Sequence, residues 1–332
     1  EQKDLKHFVD FPYKLYKDNA YWIPPIKSDE LKQLQPEKNP AFEGCDAKFW
    51  TAWKDNECVG RIGAIINHAY NKKLNSKLGR ISRVEFIDDF EVSYELFKTA
   101  ETWLASQGME KVHGPLGFNN LDLQGLLIEG FDHLPSIASV YHLPYYQAHF
   151  EKLGYEKEND WVEFRLTLGE KAVNKGIRGA KIVKKRYGFD VLTFKSKKEL
   201  HPYTTKIFEI LNEAFQDLPY VTPFSGKLIE AVKGKYFTVL SPKFIRIIKK
   251  DGEIVAFIIG LPSLSEAMQK ANGKIFPFGI FYILRAIRKP KVIDLLLTGV
   301  LPEYHSAGAA VILFSEIQEE MLKHGINQME TT

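Results

Sequence analysis

The chain has 332 residues, 45% hydrophobic, 13% aromatic and 26% charged, with a net charge of +3. That length accommodates two domains with separate cores, and the composition excludes disordered, collagen-like and low-complexity classes. The charge is too mild to call for a nucleic-acid partner, and no apolar run reaches the ~20 residues of a membrane-spanning helix. Cys45 and Cys58 are the only cysteines, too few for a disulfide framework, so reduced thiols in a cytoplasmic protein are expected. Glu1-Gln-Lys-Asp-Leu-Lys6 has no signal-peptide character. With no initiator Met and an abrupt stop at Thr332, the chain reads as a fragment of a longer protein.

Residues 5–20 show helical spacing that Pro12 is expected to break, followed by an aromatic-proline turn at 21–25. Segments 48–53 and 59–66 flank the turn Asp55-Asn-Glu57 and predict a β-hairpin. A strand over 80–87 leads through an acidic loop to a helix near 93–107. Its apolar residues Leu96, Phe97, Ala100, Trp103 and Leu104 recur at helical spacing, and Gly108 ends it. Residues 145–153 predict a short helix capped by Gly154, and the alternation of 161–166 predicts a last strand.

From Leu168 to Tyr187 basic residues dominate, with no carboxylate after Glu170. This predicts a solvated linker helix between an N-terminal domain, 1–168, and a C-terminal one, 188–332, with 169–187 between them. The second half repeats the order of the first: a strand at 189–194, a helix over 203–215, a hairpin of 243–248 with 254–259, a strand at 292–298 and an amphipathic helix over 309–324. The fold class expected is α/β with mixed sheets, built from two copies of one unit.

The chemistry is concentrated in 295–313. A buried strand runs to Val300, turns at Pro302 and meets the small-residue stretch Ser306-Ala-Gly-Ala-Ala310, which opens into a helix. Unpaired amides at a helix start, with little side chain over them, suit a phosphate or pyrophosphate. The plainer alternative is that Gly and Ala allow close helix–sheet packing.

Here the chain resembles the GNAT family of acyl-CoA-dependent N-acyltransferases, whose motif is Arg/Gln-x-x-Gly-x-Gly/Ala preceded by Val-x-Pro-x-Tyr. Val300, Pro302, Glu303 and Tyr304, then His305 to Ala310, stand at those positions, with His305 in place of Arg or Gln. The resemblance implies that Gly299, Val300, His305, Ser306, Ala307, Gly308, Ala309 and Ala310 bind acyl-CoA, the cosubstrate, with Thr298 to Val300 pairing with its pantetheine arm. Tyr145 to Tyr155 is similar to the family's closing helix, and Gly125 to Asp132 is similar to a stretch of bacterial proteins with two such units in tandem.

The first half departs from the pattern. Asp88, Asp89 and Glu91 stand where a pyrophosphate should sit, and Phe150 takes the place of the family's tyrosine acid. This half is therefore expected to be a degenerate unit. In the second half the closing helix, with its usual acid, is not in this sequence, so the expectation is either a truncated chain or a site completed by a residue of the first half. The resemblance implies transfer of an acyl group, acetyl being expected, to a small-molecule or peptide amine by direct attack. The candidate bases are Glu85 and Glu303, and Tyr145 or Tyr146 is the candidate acid. Crowding by Asp88 is expected to raise the pKa of Glu85. The alternatives are a non-catalytic CoA-binding module and a membrane-proximal long-chain acyltransferase.

No metal is expected, since His68, His113, His133, His142 and His149 show no metal-ligand spacing. Residues 274–291, aromatic and aliphatic with a basic end, predict a buried helix. A lid over an acyl chain, or contact with an anionic membrane, is the alternative.

Overall fold

The computed structural model describes residues 2–236 and 238–331; Glu1, Phe237 and Thr332 lie outside that description. The first helix, α1 (Gln2–Leu15), runs through Pro12 instead of breaking there. Proline has no N–H, so the Phe8 carbonyl one turn back loses its donor. Arg61 Nη1 replaces it, donating to Phe8 O at 3.0 Å, and the Tyr16 amide closes on Pro12 O.

After α2 (Lys27–Gln33), strands β1 (Cys45–Lys54) and β2 (Glu57–Asn67) form the expected hairpin. It turns at Asp55 and Asn56, with φ of 50° and 64°, the two left-handed residues that a tight hairpin turn needs. Then come α3 (His68–Leu74), β3 (Leu78–Phe86), α4 (Phe90–Ser106), β4 (Lys111–His113) and α5 (Tyr146–Lys152). The sheet order is β1-β2-β3-β4, antiparallel except for the parallel pair β3–β4 that α4 connects. Leu96, Phe97, Ala100 and Leu104 of α4 are buried against Ile62, Ala64, Ile81 and Phe86 of the sheet, each large side chain contributing about 1.5–3 kcal/mol. Cys45 pairs with Asn67 at one end of the hairpin and Cys58 with Trp53 at the other. At about 3.4 Å per residue the two free thiols are too far apart to bridge.

The second sheet is built from β5 (Phe164–Thr167), α6 (Glu170–Tyr187), β6 (Phe189–Leu192), α7 (Lys197–Leu200), α8 (Thr204–Ala214), α9 (Gly226–Tyr236), β7 (Ile245–Lys250) and β8 (Glu253–Pro262). The chain continues through α10 (Ser265–Ala271) and α11 (Gly279–Arg288) to β9 (Val292–Val300), α12 (Ala309–Lys323) and β10 (Gln328–Thr331). Strand order is β5-β10-β9-β8-β7-β6. Ile293, Leu295 and Met329 of the sheet meet Ala180 of α6 and Ile312, Leu313 and Ile317 of α12 in one core. The series β7-β8-β9-α12-β10 repeats the senses of β1-β2-β3-α4-β4: two antiparallel pairings, a helical crossover, then a parallel pairing.

The domain boundaries differ from the expectation. Strand β5 does not close the first sheet; Phe164 pairs with Thr331 and Thr167 with Gln328, so it is an edge of the second. One unit runs to Trp161 and also takes in Ser265–Tyr282; the other is Val162–Leu264 with the residues from Ile283 onward. Residues 169–187 are not a linker. Helix α6 buries Val173 and Ala180, sets Gly176 close to Ser315 of α12, and pairs Lys184 with Glu316 at 2.5 Å. Its basic run is the outer face of an integral helix. Segment 265–282 joins the first unit because Gln269 Nε2 donates to the carbonyls of Ala20 and Trp22 and the Lys27 amide donates to Gly273 O. Helix α11 is not buried as expected: Phe281, Tyr282 and Leu284 are exposed.

Candidate functional site

At the end of β9 the Leu301 amide still donates to Val255 O at 2.9 Å. Pro302, which has no N–H, cannot extend that ladder, and Pro302–Tyr304 form a single tight turn. Tyr304 directs its ring toward the core, 6.0 Å from the ring centre of Phe189, whereas Glu303 is exposed. His305 reaches back, its Nε2 donating to Val300 O at 3.0 Å, and so pins the loop to the strand end. The Ala307 amide is used within the loop, on Tyr304 O, so it is not one of the open donors.

Gly308 is the N-cap of α12 at φ 74°, with no side-chain cap and no acidic residue in the first turn. Only glycine takes that conformation without strain, and a Cβ there would also stand 3.2 Å from Val183. The amide of half-buried Ala310 is therefore left to a ligand or solvent at the positive end of a 15-residue helix, whereas Ala309 is fully buried. Gly299 has a different reason: a Cβ would lie 2.6 Å from the Phe257 ring on the neighbouring strand.

Beside this loop the sheet opens. β8 pairs with β9 as far as Val300, whereas β10 pairs with it only over Val292–Leu295. Among the described residues, Leu296–Gly299 thus keep one free backbone edge, Val300 O being taken by His305, and an extended amide-bearing chain can join that edge as an added strand does. Just before that edge lies a carboxylate that sequence reasoning passed over. Asp294 is 1% exposed and stands in register with Glu330, which stands in register with Arg165. Arg165 and Glu330 form an ion pair. Burial first, and the charge of Glu330 second, push the Asp294 carboxyl up to about 7, against the pull of Ser263 and Arg165. The available signal was a lone acid inside Val292-Ile-Asp-Leu-Leu-Leu297.

The equivalent helix start in the first unit is closed. Asp89 caps α4, its carboxylate accepting from the Glu91 amide at 3.0 Å and pairing with Lys54 at 2.8 Å. Asp88 is 3.0 Å from His149 Nε2, and His149 Nδ1 is 2.8 Å from Ser93 Oγ.

Two of the three predicted catalytic residues meet in this unit. The Glu85 carboxylate accepts from Tyr16 Oη at 2.5 Å and from Tyr146 Oη at 2.8 Å. Arg61 is its cross-strand partner. Tyr146 is fully buried and also accepts from the Phe86 amide, while Tyr145 donates to Phe86 O. Glu85 is raised by burial, not by Asp88, and Arg61 and the two hydroxyls oppose the shift. Its lone pairs serve to fix the residue after α1, and α5, onto β3. His142 lies against Tyr146, and burial holds its imidazole down to about 4. Glu303, the third predicted residue, belongs to the other unit. Among the described residues no group of three or more His, Cys, Asp or Glu is placed to hold a metal ion.

No family model matches the chain. Protein YghO of Escherichia coli (strain K12) is 30% identical over 338 aligned residues, covering 99% of this chain and 85% of that protein. The chain belongs to the YghO family. A second relative of this YghO-family chain is the bacterial ceramide synthase of Caulobacter vibrioides (strain NA1000 / CB15N), 26% identical over 288 residues, 83% of this chain and 72% of that protein. A tandem GNAT protein from the clavulanic acid biosynthesis pathway, solved without AcCoA, superposes on all of the chain and 86% of its own length, with a TM-score of 0.51 at 10% identity. The fold of this YghO relative is the tandem GNAT fold, as the motifs of its second half and closing helix implied.

Proposed function

We propose that the chain is an acyl-CoA-dependent N-acyltransferase whose second unit holds the thioester and whose acceptor is a long-chain amine. The observation that carries this reading is the free edge of β9 running straight into the uncapped, glycine-started α12. The pyrophosphate rests against the start of α12 at the Ala310 amide, and the amides of the pantetheine arm pair with Leu296–Gly299. A neutral amine attacks the thioester carbonyl, the C–N bond forms, the C–S bond breaks, and CoA leaves as its thiol after gaining one proton. Asp294, balanced near neutrality, takes the proton that the acceptor ammonium must lose. Use of acyl-CoA places the reaction in the cytoplasm.

The acyl group is the finer point. A ceramide is the amide of a fatty acid with a long-chain amino alcohol, so the name of the Caulobacter relative favours a fatty acyl donor over the acetyl group expected from the family motif. The test is calorimetric titration of the folded chain with acetyl-CoA and palmitoyl-CoA, beside a Gly308→Glu variant, followed by mass-spectrometric assay with a long-chain amino alcohol. Tight binding of palmitoyl-CoA that the variant loses, with amide product, is expected. A folded protein that binds neither thioester overturns the reading.

A further inference from the structure

We propose that the loop 274–278 and helix α11 form a docking surface for an anionic bilayer. Phe276, Phe278 and Phe281 are 74%, 68% and 66% exposed, and Tyr282 and Leu284 are exposed beside them. Phe278, Phe281, Tyr282, Arg285 and Arg288 follow one another at i, i+3, i+4, i+7 and i+10, so aromatic and basic side chains share one stripe of the helix.

The loop that carries the first two rings is built. The Lys274 amide donates to Ala271 O, the Ile280 amide to Ile275 O at 2.7 Å and the Phe281 amide to Phe278 O. Gly279 lies so close beneath it that a Cβ would come within 2.1 Å of Lys274 O. Phe276 and Phe278 are thus held outward by a turn braced by these three hydrogen bonds. An exposed cluster of large aromatics on a fixed turn costs solubility and marks an interaction surface.

Charge selects the occupant. Between Glu266 and Asp294 there is no acidic residue, while Lys270, Lys274, Arg285, Arg288, Lys289 and Lys291 all fall in that span. A second copy of the same surface would set these cations against each other. A leaflet carrying anionic headgroups attracts them and receives the rings at the headgroup boundary, the arrangement of an interfacial helix. This inference rests on exposure and charge and is independent of acyl transfer.

The test is co-sedimentation of the full chain with vesicles of phosphatidylcholine containing about one-third phosphatidylglycerol, with pure phosphatidylcholine vesicles in parallel, and sedimentation equilibrium without lipid. Binding to the anionic vesicles alone is expected, fading as salt rises toward ~1 M. Double substitution Arg285→Glu and Arg288→Glu should lower partitioning by roughly tenfold or more, and Phe276→Ser with Phe278→Ser should weaken it comparably. These side chains are exposed, so the thermal melt should stay at its parent value. A Phe278→Trp variant gives an independent readout, a blue shift of its emission on adding anionic vesicles. No co-sedimentation and no blue shift at low salt overturn the proposal. So does a lipid-independent dimer that the Phe→Ser substitutions dissolve in a chain that ignores vesicles.

Discussion

Two helix starts occupy equivalent places in the two repeats, and they have opposite chemistry. α4 begins at Asp89, whose own carboxylate accepts from the Glu91 amide and whose charge is met by Lys54. α12 begins at Gly308, in a left-handed conformation, with nothing of its own to offer its amides. One start is satisfied by its own side chain and the other has no side-chain cap. The lesson is that a duplicated scaffold can keep its packing while a single capping residue sets whether a helix start is closed by its own side chain.

The comparison is easiest to break at Gly308. Gly308→Glu should weaken acyl-CoA binding by about 100-fold or more, since about 2.7 kcal/mol of phosphate contact is lost, and the calorimetric titration above reads it. Retained affinity would mean that the amides of α12 are not the anchor.

Next comes Asp294→Asn, expected to lower turnover roughly 100-fold with little change in acyl-CoA affinity. Its stability signature has the opposite sign. With the folded carboxyl at about 7 and the unfolded one near ~3.9, the folded state holds the extra proton, so this group's contribution falls as pH rises between those values. The variant should therefore melt higher than the parent at pH 8 and nearly equally at pH 4. A variant that loses both activity and stability at pH 8 would make Asp294 a structural residue.

In the first unit His142 is buried neutral at about 4, below its unfolded value near ~6.5. Its contribution is whole above the unfolded value and is lost as pH falls toward 4, on the order of 3 kcal/mol. Denaturant melts between those pH values should show the decline, and His142→Gln should flatten it. The smallest effect belongs to the other helix start. Asp89→Ala should lower the melting temperature by a few degrees, as loss of a helix cap does, and leave acyl-CoA affinity at the parent value.

Much of this architecture is written locally. The stripe Leu96, Phe97, Ala100 and Leu104 faces the first sheet as its spacing requires. The pairs Asp55-Asn56 and Asp251-Gly252, all at positive φ, mark both hairpin turns. The loop from Val300 to Ala310 stands between a core strand and a helix, as its small residues indicated.

What the pattern could not supply is the identity of distant partners. Alternation announces that 161–166 is strand-like, but only the tertiary fold brings Phe164 to Thr331, 167 positions away, and so moves the domain boundary to Trp161. Pro12 is a helix breaker by its own covalent structure; Arg61, on a strand, makes it tolerable. The same holds for charge. Sequence alone determined the repeat, the turns and the glycine-started helix after β9, because backbone geometry and side-chain size act over a few residues. Tertiary structure decided which carboxylate is balanced near neutrality, since the shift at Asp294 comes from burial and from Glu330, neither of which exists until β9 and β10 pair.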